Sequence, residues 1–244
     1  MNNQSLEIAS LRFGYPDGPD VLSGVDLTVA PGEKTALVGP NAAGKTTLFL
    51  LVCGILEARA GTVTVSGETV RHGRFNRRVS YLFQSPDDQL FSARVYDDVA
   101  FGPLNMGLSA EEVRRRSEAA LKQVKCEELA DKPPHHLSGG EKRMVALATI
   151  LSMSPDILLL DEPTSNLDLK NRRKVIQTIN AIDTTMIIAS HDLEFLLETC
   201  RSAVVLDKGG VAARGEIVEI LSNKAFMAAH GLEKPHSLYP HSHG

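Results

Sequence analysis

Three short strings in this chain carry residue types and spacings that suit phosphate chemistry. The first is Gly39-Pro40-Asn41-Ala42-Ala43-Gly44-Lys45-Thr46, continued by Thr47. It follows a short apolar run, Lys34 to Val38, and opens another, Thr46 to Leu56, so it reads as a loop between a strand and a helix. A triphosphate needs many donors at close range, and the N–H groups of such a loop and helix N-terminus supply them without side-chain bulk. Lys45 adds a point charge, and the Thr46 hydroxyl suits Mg²⁺. The second string is Ile157 to Pro163, an apolar strand ending in the adjacent carboxylates Asp161 and Glu162. Ligands collect at the C-terminal edge of such strands. Neighbouring strand residues point opposite ways, so Asp161 can serve a metal through water while Glu162 orients an attacking water near the γ-phosphate. Loop and dipeptide together indicate a nucleoside triphosphatase. The third string, Leu137-Ser138-Gly139-Gly140-Glu141, sets an N-cap serine and two glycines before a helical run, a second phosphate site at a helix N-terminus. One chain does not need two.

These strings require an α/β scaffold, and short apolar strands alternating with helical patterns supply one. Leu6 to Phe13, Val25 to Val29 and Gly61 to Val65 alternate or cluster β-branched and apolar residues between turn residues, as antiparallel strands do. Lys34 to Val38, Val79 to Phe83, Asp156 to Leu160, Thr185 to Ala189 and Ser202 to Leu206 are continuous apolar runs, the pattern of strands covered on both faces. From about Ser85 to Ser152 the periodicity turns helical, with a cap and acidic first turn at Ser109-Ala-Glu-Glu and an amphipathic helix from Val113 to Val124. The expected organisation is one domain over 1–230, with core and β lobe in 1–84 and 156–214, a helical lobe inserted as 85–155, and a histidine-containing tail over 231–244.

Composition narrows the partners. With 43% hydrophobic residues in 244, a sizeable core can form. The formal charge of -4 gives no global basic field for nucleic acid or an anionic bilayer, so no nucleic-acid partner is expected. Cys53, Cys126 and Cys200 are odd in number and lack metal spacing, which fits a reducing compartment without a disulfide framework. The first ten residues lack signal-peptide character, and the longest apolar run falls short of a spanning helix, so membrane association would come through a partner.

Leu137 to Glu141 lies about twenty residues upstream of Asp161, and this order of motifs, over nearly the whole chain, resembles the ABC ATPase family. The resemblance implies a P-loop nucleoside-triphosphatase core, mostly parallel in its sheet, with an antiparallel β lobe and an inserted helical lobe, using ATP and Mg²⁺. It implies that Ser138, Gly139, Gly140 and Glu141 contact ATP held by the opposite subunit of a homodimer, or of a heterodimer with a similar ATPase. Tyr15 matches the aromatic that stacks on adenine. Gln84 matches the Q-loop glutamine that senses Mg²⁺ and the γ-phosphate, Asp168 the D-loop acid that crosses the dimer interface, and His191 the switch histidine. Two positions depart from the pattern: Ala42, where relatives usually have Gly, and Glu141, where many have Gln. The first removes the freedom for positive φ at that step.

Phe83 to Phe91 and Val95 to Pro103 resemble the energy-coupling-factor importers of vitamins and transition-metal ions, and the tail, with His230, His236, His241 and His243, is similar to the cobalt and nickel branch. Integral membrane transporter subunits are then the partners, and the chain is peripheral at the cytoplasmic face of the membrane. Leu90, Phe91 and Val95 read either as a groove for a partner's coupling helix or as helical-lobe core. The tail histidines read either as chelators of a divalent metal or as an unstructured end, or residues left from cloning. Vitamin uptake by the same module is the alternative within the class. A soluble ABC protein would need a coiled-coil insertion, a second cassette or a basic face, and a metal-storage or sensor module would have to act through the tail.

Overall fold

A computed structural model describes residues 5–239, and these form two compact units. One is built from the chain up to Asn76 and from Thr185 onward; the other is Arg77–Thr184.

The first unit begins with β1 (Leu6–Phe13), β2 (Leu22–Val29), β3 (Lys34–Val38), α1 (Lys45–Val52), β4 (Ala60–Val65) and β5 (Glu68–Thr69). Leu6, Ile8, Leu11 and Phe13 of β1 are buried while Glu7 and Arg12 are exposed, alternation on either side of a register shift between Ile8 and Leu11 that moves the buried face from even to odd positions. Strands β2, β1, β4 and β5 pair antiparallel in that order, which is the β lobe expected from the sequence. Helix α1 stops at Val52, four residues before the end of the apolar run. Gly54 turns left-handed there, with φ of 71°, and its N–H bonds to the Leu51 carbonyl at 3.0 Å while Ile55 N–H reaches back to Leu50 at 2.9 Å. Such a cap ends a helix whatever the hydrophobicity beyond it.

The second unit contains β6 (Val79–Leu82), α2 (Val95–Asn105), α3 (Ala110–Gln123), α4 (Gly139–Leu151), β7 (Ile157–Asp161) and α5 (Leu169–Asn180). β6 and β7 are parallel, with Leu82 opposite Leu160, and every residue of β7 is buried. Each fully buried aliphatic side chain of such a strand contributes roughly 1.5–3 kcal/mol. Ser109 caps α3, its hydroxyl accepting from Glu112 N–H at 3.3 Å.

The chain then returns to the first unit as β8 (Thr185–Ala189), α6 (Leu193–Thr199), β9 (Ser202–Asp207), β10 (Gly210–Glu216), α7 (Ile217–Ser222) and α8 (Lys224–Ala229). Here β3 lies between β8 and β9, parallel to both, and β10 closes antiparallel on β9. The apolar runs of β3, β8 and β9 are buried almost throughout, as their lack of alternation requires. The fold is thus α/β, with a mixed sheet, an antiparallel sheet and helices.

Candidate nucleotide-binding and hydrolysis site

In the first unit the register Leu37 opposite Ala189 puts the loop after β3 and the turn after β8 at one C-terminal sheet edge. The loop carries Gly39 to Gly44 and the turn carries His191. Gly44, with φ of 97°, forms the N-cap of α1, a conformation that glycine takes without a Cβ penalty. The helix therefore begins at Lys45, with Thr46 and Thr47 in its first turn. Lys45 is 8% exposed, and its Nζ donates to the carbonyls of Gly39 at 2.7 Å and Pro40 at 3.0 Å. The ammonium thus sits in the concavity of the loop. Ala42 has φ of 62°. The position where the sequence departs from the family pattern does adopt the left-handed backbone, at a cost of roughly 1–2 kcal/mol for a residue with a Cβ.

Tyr15 stands beside this loop. Its ring packs edge-on against Phe13 with centroids 5.0 Å apart, its hydroxyl lies 3.4 Å from Thr47 Oγ1, and Arg59 Nη2 donates to its carbonyl at 2.8 Å. The side chain is held yet 46% exposed, which leaves ring surface for a base to stack on.

The turn carrying His191 has a neighbour that sequence reasoning did not supply. Ser237 of the tail donates through N–H, at 2.9 Å, and Oγ to the Glu194 carboxylate, and these bonds hold that carboxyl below its usual range against the desolvation that raises it. The tail, His191, Asp192 and Lys224 line a groove of about 760 Å³. His230 is engaged by Asp207 at 2.8 Å and Ser237 by Glu194, so the described part of the tail packs on its unit, while His236 lies against Tyr239 of the tail itself. His241 and His243 lie outside the described residues. Among the described residues no group of three metal-ligating side chains gathers.

The second unit assembles the other half of the motif set. Its parallel pair brings Gln84, just past β6, and Asp161 and Glu162, at the end of β7, to one edge. Asp161 is 3% exposed, and Tyr81 Oη donates to its Oδ2 at 2.9 Å. Glu162 is 9% exposed and has φ of 48°. Ser138 caps α4 in a reciprocal box: its Oγ accepts from Glu141 N–H at 3.3 Å, while Glu141 Oε2 accepts from Ser138 N–H at 2.8 Å and from its hydroxyl at 2.7 Å. These bonds hold the Glu141 carboxyl below its usual range. A carboxylate accepts both donors at once, which gives the glutamate at this position a structural reason. Asp168 caps α5, accepting from Asn171 N–H at 2.7 Å and Nδ2 at 3.1 Å. The Asn171 side chain fills the space where a Cβ on Gly140 would stand. Gly140 and the Asp168 cap therefore meet, through Asn171, inside this unit.

Three residues of this half were not singled out from sequence: Tyr81, Gln89 and Arg143. Arg143 is 1% exposed on α4. Its Nη1 donates to the Phe83 carbonyl at 2.9 Å and its Nη2 to the Gln84 carbonyl at 2.6 Å and Ser165 Oγ at 3.4 Å. Burial pushes its pKa down, opposed by the charges of Glu162 and Asp161. Gln89 accepts from Phe83 N–H at 3.2 Å and donates to Ala146 O at 2.9 Å and Thr149 Oγ1 at 2.6 Å. A glutamine and an arginine in polar strings look like surface residues, and no local periodicity marks them otherwise.

The reading of Leu90, Phe91 and Val95 divides. Leu90 and Val95 are buried core, whereas Phe91 is 64% exposed and packs edge-on against Phe101, also exposed, with centroids 5.0 Å apart. Buried Asp98 holds Phe91 outward by accepting from Phe91 N–H at 3.1 Å and Ser92 N–H at 2.9 Å.

A glycine-capped phosphate loop after a parallel strand, with a strand-end carboxylate pair elsewhere in the chain, defines a nucleoside-triphosphatase. A profile of the ABC transporter family matches residues 22–165. The chain belongs to that family's ATP-binding proteins, which hydrolyse ATP. It is 47% identical over 234 residues to a Synechocystis protein named as a candidate ABC transporter ATP-binding protein, covering 96% of this chain and 82% of that one. It is 42% identical over 238 residues to the energy-coupling factor transporter ATP-binding protein EcfA of Methanosphaera stadtmanae, covering 94% and 86%. Among solved structures it is similar to CbiO1 of Clostridium perfringens, part of the ABC transporter complex CbiONQ, with a TM-score of 0.82, 35% identity, and coverage of 93% and 94%.

Proposed function

We propose that this chain is the ATP-hydrolysing subunit of an energy-coupling-factor importer that powers uptake of cobalt or nickel ions. The observation that carries the reading is the likeness to CbiO1 over nearly the full length of both chains, and the EcfA relatives support the importer class. The nucleotide lies on the loop from Gly39 to Thr47, its phosphates on the N–H groups of the loop and α1 and on Lys45, its adenine against Tyr15. Thr46, Gln84 and Asp161 offer hard oxygen donors of the kind Mg²⁺ takes, and the buried Asp161 carboxylate, steadied by Tyr81, fits a metal ligand. When bound, Mg²⁺ would neutralise charge on the phosphate oxygens. Glu162 is the group for orienting the attacking water, and His191 the group for sensing the γ-phosphate. Ser138 to Glu141 and Asp168 act on the nucleotide of a second ATPase subunit, the same chain or a similar one, in a head-to-tail dimer. No helix among the described residues is long and apolar enough to cross a membrane. The chain works at the cytoplasmic face, where the exposed Phe91–Phe101 pair receives a helix of an integral membrane subunit.

The test is a tagged pull-down from native membranes, followed by metal uptake in cells carrying the parent or Glu162→Gln. Recovery of integral membrane proteins with cobalt or nickel uptake lost in the variant is the expected result. Membrane partners with unaffected metal uptake move the reading to vitamin import, and the absence of membrane partners removes the transporter role. The dimer has its own test: Glu162→Gln protein that stays monomeric in light scattering at saturating ATP contradicts the sandwich.

A further inference from the structure

We propose that Arg143 is a positioning residue that clamps the Q-loop to the signature helix, so that Gln84 and the Ser138 cap move as one piece during ATP hydrolysis. Arg143 is the largest fully buried residue among those described. Arg143 stands on the second turn of α4, whose N-terminus is the Ser138 box. From there its fork takes two consecutive carbonyls, Phe83 and Gln84, and reaches Ser165 in the turn after Glu162. Gln89 completes the grip: it accepts the Phe83 N–H and anchors on Ala146 and Thr149, one to two turns further along the same helix. Both backbone polar groups of Phe83, its N–H and its carbonyl, are thus held by side chains that belong to, or are fixed on, α4. Lys142 adds a third tie, donating to Asp87 at 2.6 Å.

The chemistry at Arg143 is unusual for a residue that only packs. Its Nε is buried with no acceptor, and its fork bonds to two carbonyls and a hydroxyl rather than to a carboxylate. Burying a cation without a direct counter-ion is costly, and apolar side chains of similar volume often replace buried ions without loss of stability. What an apolar replacement cannot do is hold two successive carbonyls in one plane, which a planar fork does and a lysine point charge does poorly. Retaining arginine here is explained by geometry delivered to Gln84.

The inference rests on the roles proposed for Gln84 and Ser138, and the experiment separates the two. Arg143→Met and Arg143→Lys are compared with the parent and with Glu162→Gln in the full-length protein, measuring kcat, ATP dissociation constant by calorimetry, and melting temperature. The expected result is a fall in kcat of tenfold or more in both Arg143 variants, equal to about 1.4 kcal/mol of activation free energy, with ATP affinity within twofold and an unchanged melting temperature in at least the lysine variant. Full activity in either variant, or losses of activity, affinity and melting temperature in parallel in both, overturns the clamp. Full turnover in Glu162→Gln instead overturns the reading of the hydrolytic site, whatever Arg143 does.

Discussion

Tyr81→Phe removes a single oxygen and leaves the ring that packs edge-on to Phe83 with centroids 4.8 Å apart. What is lost is the 2.9 Å bond from the phenol to Asp161 Oδ2. Hydrogen bonds to charged groups contribute about 1.5–3 kcal/mol, and Tyr81 is half-buried, so the lower end applies. If Asp161 is the metal ligand, that energy appears as poorer carboxylate orientation, and loss of an outer partner of a ligand typically costs about 10–100-fold in metal affinity or activity. The estimate of 1.5 kcal/mol corresponds to about a tenfold rise in the Mg²⁺ concentration that gives half-maximal ATPase. The assay is a Mg²⁺ titration of turnover at fixed ATP, paired with thermal melting in EDTA. The reasoning fails if half-saturation stays within twofold of the parent, or if the variant melts lower in EDTA by enough to account for its activity.

Lys45→Ala removes the cation held in the loop, so ATP affinity measured by calorimetry should fall at least tenfold; equal affinity contradicts the phosphate-loop role. Ala42→Gly relieves about 1–2 kcal/mol of left-handed strain and adds roughly 0.5–1 kcal/mol of chain entropy in the unfolded state, so the melting temperature should rise slightly or hold. A drop of several degrees refutes the strain. Bonds from Arg115 and Arg116 depress the Glu112 carboxyl from 4.5 to about 2. A depressed carboxylate stabilises the fold above about pH 4.5 and loses that contribution as the pH falls toward 2. The melting-temperature gap between the parent and Glu112→Gln should therefore narrow across that window and shrink in high salt, and a gap independent of pH sinks the assignment.

The parts of the site legible in the sequence are those whose signals are local. Gly44 at a strand-to-helix junction, the Ser138 to Glu141 box and the buried run into Asp161 each declare themselves within a few residues. The end of α1 was not legible, because the left-handed turn at Gly54 overrides an apolar run that continues to Leu56. Leu90 and Phe91 are adjacent and both apolar, yet one is core and the other exposed; the deciding group is Asp98, seven residues from Phe91 and buried for reasons no local pattern carries. Arg143 and Tyr81 escaped notice for the same reason. Their partners lie about sixty and eighty residues away, and only the folded chain gives those polar side chains their carbonyl and carboxylate neighbours.

The backbone at Glu162 has a consequence for laboratory evolution. A buried glutamate with φ of 48° sits in a conformation that glycine and asparagine adopt at less cost, and it persists because the turn, closed by Ser165 N–H on the Glu162 carbonyl at 3.1 Å, leaves no other path. A library screened for heat resistance alone will therefore drift toward those two residues at this site and discard the carboxylate, and with it, on the role proposed for Glu162, the turnover of ATP. Any stabilisation campaign on this chain needs a catalytic selection running beside the thermal one.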